Sequence, residues 1–168
     1  WNFSELGQVE LENGSSQGGN GWKAVFRGQK GNAEMYFLNP EASAQAGFSP
    51  IARDYNKAVR RSRIQVVLNG QGFSSLMTVI CASQAGKDSK IQIQKIPVSS
   101  ALKGITYPDS MAEAVKIKLE GREYVVIICH QEVNSPTDMV EADGCMGFGN
   151  VIVFDRKLGG IAGTVMNY

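Results

Sequence analysis

The chain has 168 residues, of which 43% are hydrophobic and 20% are charged, and its formal net charge is +1. These values are ordinary for a soluble globular protein, and the overall charge gives no reason to expect nucleic-acid or membrane binding. No apolar run reaches the roughly 18 residues that cross a bilayer, so the sequence predicts no membrane span. The length predicts a single domain over residues 1–168, or at most two small sandwiches that share an interface.

Short strands separated by turn residues are predicted for most of the first hundred residues. Alternating or β-branched runs predict strands at residues 7–12, 22–27, 33–39, 63–68, 73–82 and 90–98. Residues 13–21 are rich in glycine and are predicted to form a loop. Residues 41–61 lack alternation, so the sequence predicts a long irregular loop there, a feature that is usually functional or mobile.

The second part of the chain repeats the same pattern. Residues 111–120 alternate, and Glu120-Gly121 is predicted to turn the chain into the next strand. That strand is apolar on both faces from Val125 to Cys129, which predicts a central position in a sheet. Asp143-Gly144 is typical of a hairpin turn. Together these runs predict an all-β fold, an antiparallel β-sandwich of roughly ten to twelve short strands.

Three cysteines and one histidine offer little for metal or nucleophilic chemistry. Cys81 and Cys129 lie in apolar strand runs, where buried thiols are expected, and the odd count leaves the disulfide state of Cys81, Cys129 and Cys145 open. Cys129 and His130 are adjacent, so on a strand they cannot bind one metal ion together. We expect His130 to be hydrogen-bonded at a strand end. We therefore predict no catalytic residue, no metal site and no cofactor.

A basic group is the clearest local charge feature of the sequence. Five cations lie within eleven residues, from position 53 to position 63, and Asp54 is their only counter-charge. Guanidinium groups match carboxylate and sulfate groups, and tyrosine can stack on sugar rings. Aromatic residues for base stacking are sparse, which disfavours nucleic acid. The predicted ligand-binding residues are Arg53, Tyr55, Lys57, Arg60 and Arg61.

Several short motifs follow one another in an order seen in one enzyme family. Phe48-Ser49-Pro50 precedes Tyr55, an apolar run occupies residues 75–80, and the chain closes with Asp143-Gly144 and Asp155-Arg156. This order resembles the C-terminal β-sandwich region of heparinase II/III-type polysaccharide lyases, whose motif approaching the second strand is Ser-Pro-x-Tyr-Gly. Here Asn56 follows the tyrosine instead of glycine, and residues 81–83 stand where that family usually has a proline.

The resemblance implies a parent enzyme that cleaves uronic-acid polysaccharides by β-elimination in an α/α-toroid domain upstream of this chain. The family's catalytic tyrosine and histidine belong to other segments, so no catalytic residue is transferred to this sequence. The implied role is a non-catalytic domain that supports the catalytic domain and contacts substrate. Its implied partners are an acidic polysaccharide and the upstream domain, in the periplasm or outside the cell. The opening Trp1-Asn2-Phe3 has no initiator methionine, so we expect a segment of a longer protein.

Three other functions remain open from the sequence. A stand-alone carbohydrate-binding or adhesin-like module could use exposed aromatic residues, for which the candidates are Trp22, Tyr36, Tyr55 and Tyr107. A structural or assembly protein could pair edge strands such as residues 90–98 between chains. A small enzyme could use His130 as a general base, although a nucleophile and base pair is hard to build around one histidine.

Overall fold

A computed structural model describes residues 1–4, 7–13, 21–55, 57–70, 72, 74–87, 89–157 and 160–166. This part of the chain contains no helix, and its fourteen strands pair in antiparallel fashion, which confirms the predicted all-β fold. The strand count exceeds the predicted ten to twelve because three strands have only two or three residues. The chain divides into two compact units, Trp1–Lys90 and Ile91–Tyr168, which we describe separately.

The first unit combines a four-stranded sheet, in the order β1-β2-β3-β6, with the two-stranded hairpin β4-β5. Its strands are β1 Gly7–Asn13, β2 Trp22–Gly28, β3 Gly31–Phe37, β4 Ser43–Asp54, β5 Lys57–Val67 and β6 Thr78–Gln84. Ala24, Met35 and Phe37 fill its core from one face of paired strands, and Glu34 and Tyr36 are buried on the opposite face of β3. Ile64 of the hairpin is fully buried in the same cluster.

The second unit packs a five-stranded sheet, in the order β14-β13-β10-β9-β7, and a three-stranded sheet, in the order β12-β11-β8. Its strands are β7 Gln92–Ile96, β8 Ser99–Ser100, β9 Ala112–Leu119, β10 Arg122–Cys129, β11 Val140–Ala142, β12 Cys145–Gly147, β13 Val151–Lys157 and β14 Gly160–Met166. The predicted central position of the 125–129 run is confirmed, because β10 lies between β9 and β13.

Alternation along β10 sends Val125, Ile127 and Cys129 into one hydrophobic cluster, and Val98 and Val140 meet them there. All five residues are buried. Burying an aliphatic side chain of this size contributes roughly 1.5–3 kcal/mol relative to exposure. The buried thiol of Cys129 agrees with the prediction, whereas Cys81 is only half-buried.

A cluster of charged side chains lies on the inner face of the five-stranded sheet, beyond its apolar part. Arg156 Nη1 lies 2.8 Å from Glu123 Oε1 and 2.7 Å from Asp143 Oδ2, and Arg156 Nη2 lies 3.1 Å from Cys145 Sγ. Arg156 is cross-strand from Glu123, whereas Cys129 lies at the other end of β10, six residues or about 20 Å away. Cys129 and Cys145, like Cys81, are free thiols in the structure.

Two-residue turns join β9 to β10 and β11 to β12, as their sequences predict. Glu120 and Gly121 have φ values of 51° and 80°, and Asp143 and Gly144 have φ values of 50° and 74°. Consecutive positive φ values define the hairpin turn whose twist matches that of the strands, and asparagine or aspartate followed by glycine suits it best. Glutamate at the first position is therefore strained.

We expect Glu120→Asn to raise the free energy of unfolding by about 0.5–1 kcal/mol, because asparagine tolerates the left-handed conformation better than glutamate. Urea denaturation would measure the change. Glu132→Asn removes the same charge from an exposed position without a positive φ, and it is the matched control. An equal gain in both variants would show that charge, and not backbone conformation, is responsible.

The predicted irregular loop over residues 41–61 is wrong. These residues form β4 and the start of β5, with a register running from Ser43–Val67 to Asp54–Lys57. Alternation is missing because none of the described side chains from 45 to 61 is buried, so neither face requires apolar residues throughout. Pro50 is compatible with the strand because a proline is tolerated where the ribbon has only one partner strand.

Candidate functional site

The hairpin β4-β5 extends beyond the core of the first unit. Its first strand has 12 residues, or about 40 Å at the usual rise per residue. The base is packed, since Ile64 is 0% exposed and Ala44 is 8% exposed, whereas Phe48 is 63% exposed and Tyr55, in the turn, is 95% exposed. We call residues 48–61 the distal hairpin.

The N-terminal segment supports the hairpin up to the point where it leaves the core. Phe3 N donates to the Ser62 carbonyl at 2.9 Å, and Ile64 N donates to the Trp1 carbonyl at 3.0 Å. Asn2 forms an isolated bridge with Arg63. Within the described residues this pairing stops at Ser62, so the distal hairpin is held chiefly by its own cross-strand bonds.

One face of the distal hairpin carries an aromatic residue with a cation over it. Arg60 lies opposite Pro50, and Phe48 is the next residue of β4 on the same face. The Arg60 guanidinium carbon lies 4.7 Å from the centroid of the Phe48 ring. Exposed Ala52 and Ala58, which pair with each other, continue this face toward the turn. The face is therefore apolar except for one guanidinium group.

The opposite face carries two further guanidinium groups. Arg61 Nε donates to Ser49 Oγ at 3.2 Å, and Ser49 Oγ donates to Asn2 Oδ1 at 2.9 Å. Arg63 Nη2 donates to Gln65 Oε1 at 3.1 Å. These acceptors are neutral, so they orient the arginines without cancelling their charge.

All five residues predicted to bind ligand lie on β4, β5 or the turn between them. Arg60 and Arg61 lie on opposite faces, and Lys57 is exposed beside the turn. Arg53 lies at a register shift in β4, and its side chain is outside the described part of the structure. The ion pairs found among the described residues include none from Lys57, Arg60 or Arg61. The sequence-based set omitted Phe48, whose position beside Arg60 depends on the strand register.

The other aromatic candidates for sugar contact are largely covered. Tyr36 is 6% exposed. Trp22 is half-buried, and its indole N–H donates to the Ala42 carbonyl at 2.8 Å. Tyr107 is half-buried, and its hydroxyl donates to the Val133 carbonyl at 3.1 Å. Of the four predicted aromatic candidates, only Tyr55 therefore presents its ring to solvent.

Comparisons with protein-family models, with curated proteins and with solved structures give no match. The side chains of the described residues therefore carry the functional proposal. Two further groups of charged residues bear on it, one in each unit, and both contain a buried carboxylate.

The carboxylate of the second unit belongs to Glu113, whose side chain is 1% exposed. Glu113 Oε2 lies 2.8 Å from His130 Nε2, and Glu113 Oε1 lies 2.7 Å from Lys95 Nζ. Lys95 Nζ also lies 2.6 Å from Asp109 Oδ2. Burial lowers the pKa of Lys95, but the bonds to Asp109 and Glu113 outweigh it and raise that pKa above its ordinary value.

This network confirms that His130 is hydrogen-bonded at the end of a strand. Glu113 supplies the acidic partner that a general base would have, but its second oxygen is occupied by Lys95. No group of three or more histidine, cysteine or acidic side chains suited to a metal ion occurs among the described residues. The same part of the chain has no helix long and apolar enough to cross a membrane. We interpret the network as a structural connection between β7, β9 and the end of β10.

The carboxylate of the first unit belongs to Glu34, which is 2% exposed. The Tyr36 hydroxyl donates to Glu34 Oε2 at 2.5 Å, and Ser89 N donates to Glu34 Oε1 at 2.8 Å. Lys23 Nζ lies 3.3 Å from Glu34 Oε2. Burial raises the pKa of Glu34, but these bonds and the charge of Lys23 outweigh burial and hold that pKa below its ordinary value. Both buried carboxylates are therefore paired within their own unit.

Proposed function

We propose that this chain is a non-catalytic β-rich domain that binds an acidic polysaccharide through the distal hairpin, in support of a polysaccharide lyase catalytic domain. The observation that carries the proposal is an exposed hairpin with cations on both faces and a fully exposed tyrosine in its turn. Between Ser43 and Val67 the sequence has five cations and one acidic residue. This charge is complementary to a polymer that bears carboxylate or sulfate groups.

Lys57 and Arg60 can bind an anionic ligand at little cost in free energy. Lys57 and Arg60 are exposed, so binding an anion does not require breaking an existing ion pair. A single exposed charge contact contributes little, because water and salt screen it. A polymer with repeated anionic groups contacts several cations at once. After the first contact, the local concentration of its remaining anionic groups is high, so the polymer binds more tightly than a single anion. Affinity should therefore fall steeply with salt.

Exposed aromatic surface gives the hairpin a second way to contact a sugar. Tyr55 and Phe48 present apolar ring surface to solvent, and such surface packs well against the C–H faces of sugar rings. About 23 Å of strand separates these two residues. An extended polymer lying along β4 would contact both, whereas a compact ligand would contact one.

The lyase part of the proposal is supported by the resemblance of the motifs from Phe48 to Arg156. No residue of this chain is assigned to β-elimination. His130 and Glu113 are used in a network with Lys95, and we give them no catalytic role. The 168-residue chain alone should therefore release no unsaturated product from an acidic polysaccharide, and release of such a product would contradict the non-catalytic role.

We expect the triple variant Lys57→Ala, Arg60→Ala and Arg61→Ala to weaken binding to polygalacturonate at least about 10-fold, because three exposed contacts of roughly 0.5 kcal/mol each are lost together. Isothermal titration calorimetry of the 168-residue chain at about 0.15 M salt would measure the affinity. Dextran is the neutral comparison polymer and should not bind.

The matched control removes three exposed lysines of the same unit outside the hairpin, Lys30→Ala, Lys87→Ala and Lys90→Ala. It lowers the net charge equally and should leave affinity within about 2-fold. Equal losses in both triple variants would contradict a hairpin site, because net charge alone would then explain binding. Absence of wild-type binding to polygalacturonate and to dextran sulfate would contradict the proposed function itself.

An assembly role is the second candidate, because strands with open edges can pair between chains. β7 is the last strand of the five-stranded sheet, and β4 has β5 as its only partner strand among the described residues. Light scattering after size-exclusion chromatography separates the two functions. Growth of the molecular mass with protein concentration, without added polysaccharide, would favour assembly.

A further inference from the structure

We propose that Arg60 and Phe48 together form the specificity-determining contact of the distal hairpin, an anion-binding fork that requires a guanidinium group. This inference rests on the proposed function. It adds that the Phe48 ring distinguishes Arg60 from the other cations of the hairpin. The ligand chemistry is an oxyanion with two oxygens available for parallel hydrogen bonds, as in the carboxylate or sulfate group of an acidic polysaccharide.

The geometry of the pair restricts how Arg60 can be used. Its guanidinium carbon lies over the Phe48 ring, 4.7 Å from the ring centroid, so the ring covers one side of the cation. The guanidinium carries five N–H donors in one plane, and those on the side not covered by the ring can reach a bound anion. Contact with the ring also restricts the side chain before binding, so less rotamer freedom is lost when an anion arrives.

Lysine cannot reproduce this arrangement. An ammonium group keeps the charge but has no planar fork, and it holds its water more strongly than a guanidinium does. Arg60→Lys therefore leaves the net charge of the hairpin unchanged while it removes the paired hydrogen bonds. A site that attracts anions only through charge would not respond to this substitution.

The opposite face supplies a matched comparison. Arg63 belongs to the same strand and is exposed, but it donates to Gln65 and does not lie over an aromatic ring. Arg63→Lys is the same chemical change on the face that lacks Phe48. Both substitutions keep the charge and remove a guanidinium group, but only Arg60 lies over an aromatic ring, so a larger loss in Arg60→Lys supports the stacked fork.

The test measures the affinity of the 168-residue chain and of four variants for polygalacturonate, dextran sulfate and a DNA duplex. We expect Arg60→Lys and Phe48→Ala to weaken binding to at least one of the two polysaccharides by about 5- to 20-fold. We expect Arg63→Lys and Phe48→Tyr, which keeps an aromatic ring, to stay within about 2-fold of wild type. Circular dichroism would confirm that each variant is folded, which exposure of all three positions favours.

The outcomes separate this inference from the proposed function. If wild type binds polygalacturonate or dextran sulfate but Arg60→Lys and Arg63→Lys lose affinity equally, the stacked fork is refuted and the charged hairpin stands. If wild type binds neither polysaccharide, both proposals fail. If the DNA duplex binds as tightly as the polysaccharides and Arg60→Lys has no effect, binding is nonspecific and the inference is again refuted. The polysaccharide that is more sensitive to Arg60→Lys identifies carboxylate or sulfate as the preferred group.

Discussion

Glu34→Ala is expected to lower the free energy of unfolding of the first unit by about 3–5 kcal/mol. The substitution removes a fully buried carboxylate and leaves the Tyr36 hydroxyl and Ser89 N–H without the acceptor they use. Lys23 keeps a longer contact, 3.7 Å, with Glu12 and its position over the Tyr36 ring. Denaturation followed by tryptophan fluorescence would measure the loss, because both tryptophans, Trp1 and Trp22, lie in this unit.

Glu10→Ala is the matched control, since Glu10 lies on the same sheet and its contact with Arg27 is exposed to solvent. We expect it to change stability by less than about 0.5 kcal/mol. A loss below about 1 kcal/mol in Glu34→Ala, or equal losses in the two variants, would contradict the view that Glu34 organises this side of the sheet.

The same carboxylate predicts how stability depends on pH. The folded-state pKa of Glu34 lies below its ordinary value of 4.5, so its stabilising contribution is present above pH 4.5. The contribution is lost as the pH falls through the folded-state value, when the carboxylate becomes protonated. Glu34→Gln cannot titrate, so its stability should change less between pH 5 and acidic conditions than that of wild type. If the stabilities of wild type and Glu34→Gln depended on pH in the same way, the assignment of this pH dependence to Glu34 would be contradicted.

Glu113→Ala is expected to destabilise the second unit by about 3–5 kcal/mol, because its buried carboxylate binds Lys95 and His130 at once. Lys95 retains Asp109, which is largely exposed, and His130 loses its acidic partner. Hydrogen exchange of the β9 and β10 amides would report the change locally, with faster exchange as the expected result.

Glu132→Ala controls for removal of an acidic residue near His130, and we expect an effect of less than about 0.5 kcal/mol, since Glu132 is exposed. The loss of stability in His130→Ala should lie between those of Glu113→Ala and Glu132→Ala, because Glu113 keeps its bond to Lys95. Unchanged exchange in β9 and β10 after Glu113→Ala would show that the network does not hold these strands.

Alternation predicted the strands whose two faces differ in burial. β5 and β7 illustrate this, because Ile64 is buried next to exposed Arg63, and Ile93 is buried next to exposed Gln92. The turn at Glu120-Gly121 was also predicted from local chemistry, since glycine suits the positive φ found there. In these segments the neighbours along the chain carry enough information to identify the element.

The hairpin β4-β5 could not be predicted in this way. One face of its distal half is exposed and the other is only half-buried, so burial imposes no strict apolar pattern on residues 48–61. The sequence did identify the cations there as a group. It could not place Phe48 beside Arg60, because that contact follows from the register that sets Pro50 opposite Arg60.

Both buried carboxylates were also missed, for a related reason. Glu34 takes a hydrogen bond from Ser89, 55 residues away in the chain, and Glu113 binds His130, 17 residues away. A glutamate at an alternating strand position normally indicates a solvent-facing side. Only the fold brings together the hydrogen-bond donors that compensate for the burial of Glu34 and Glu113.

The measurement that tests the central claim most directly is amide hydrogen exchange of the 168-residue chain with and without an acidic oligosaccharide such as oligogalacturonate. Our account predicts increased protection in residues 48–63, lost in the triple variant Lys57→Ala, Arg60→Ala and Arg61→Ala, and no comparable change in the second unit. Protection confined to other strands, or no protection at saturating oligosaccharide, would contradict the assignment of the hairpin as the binding site.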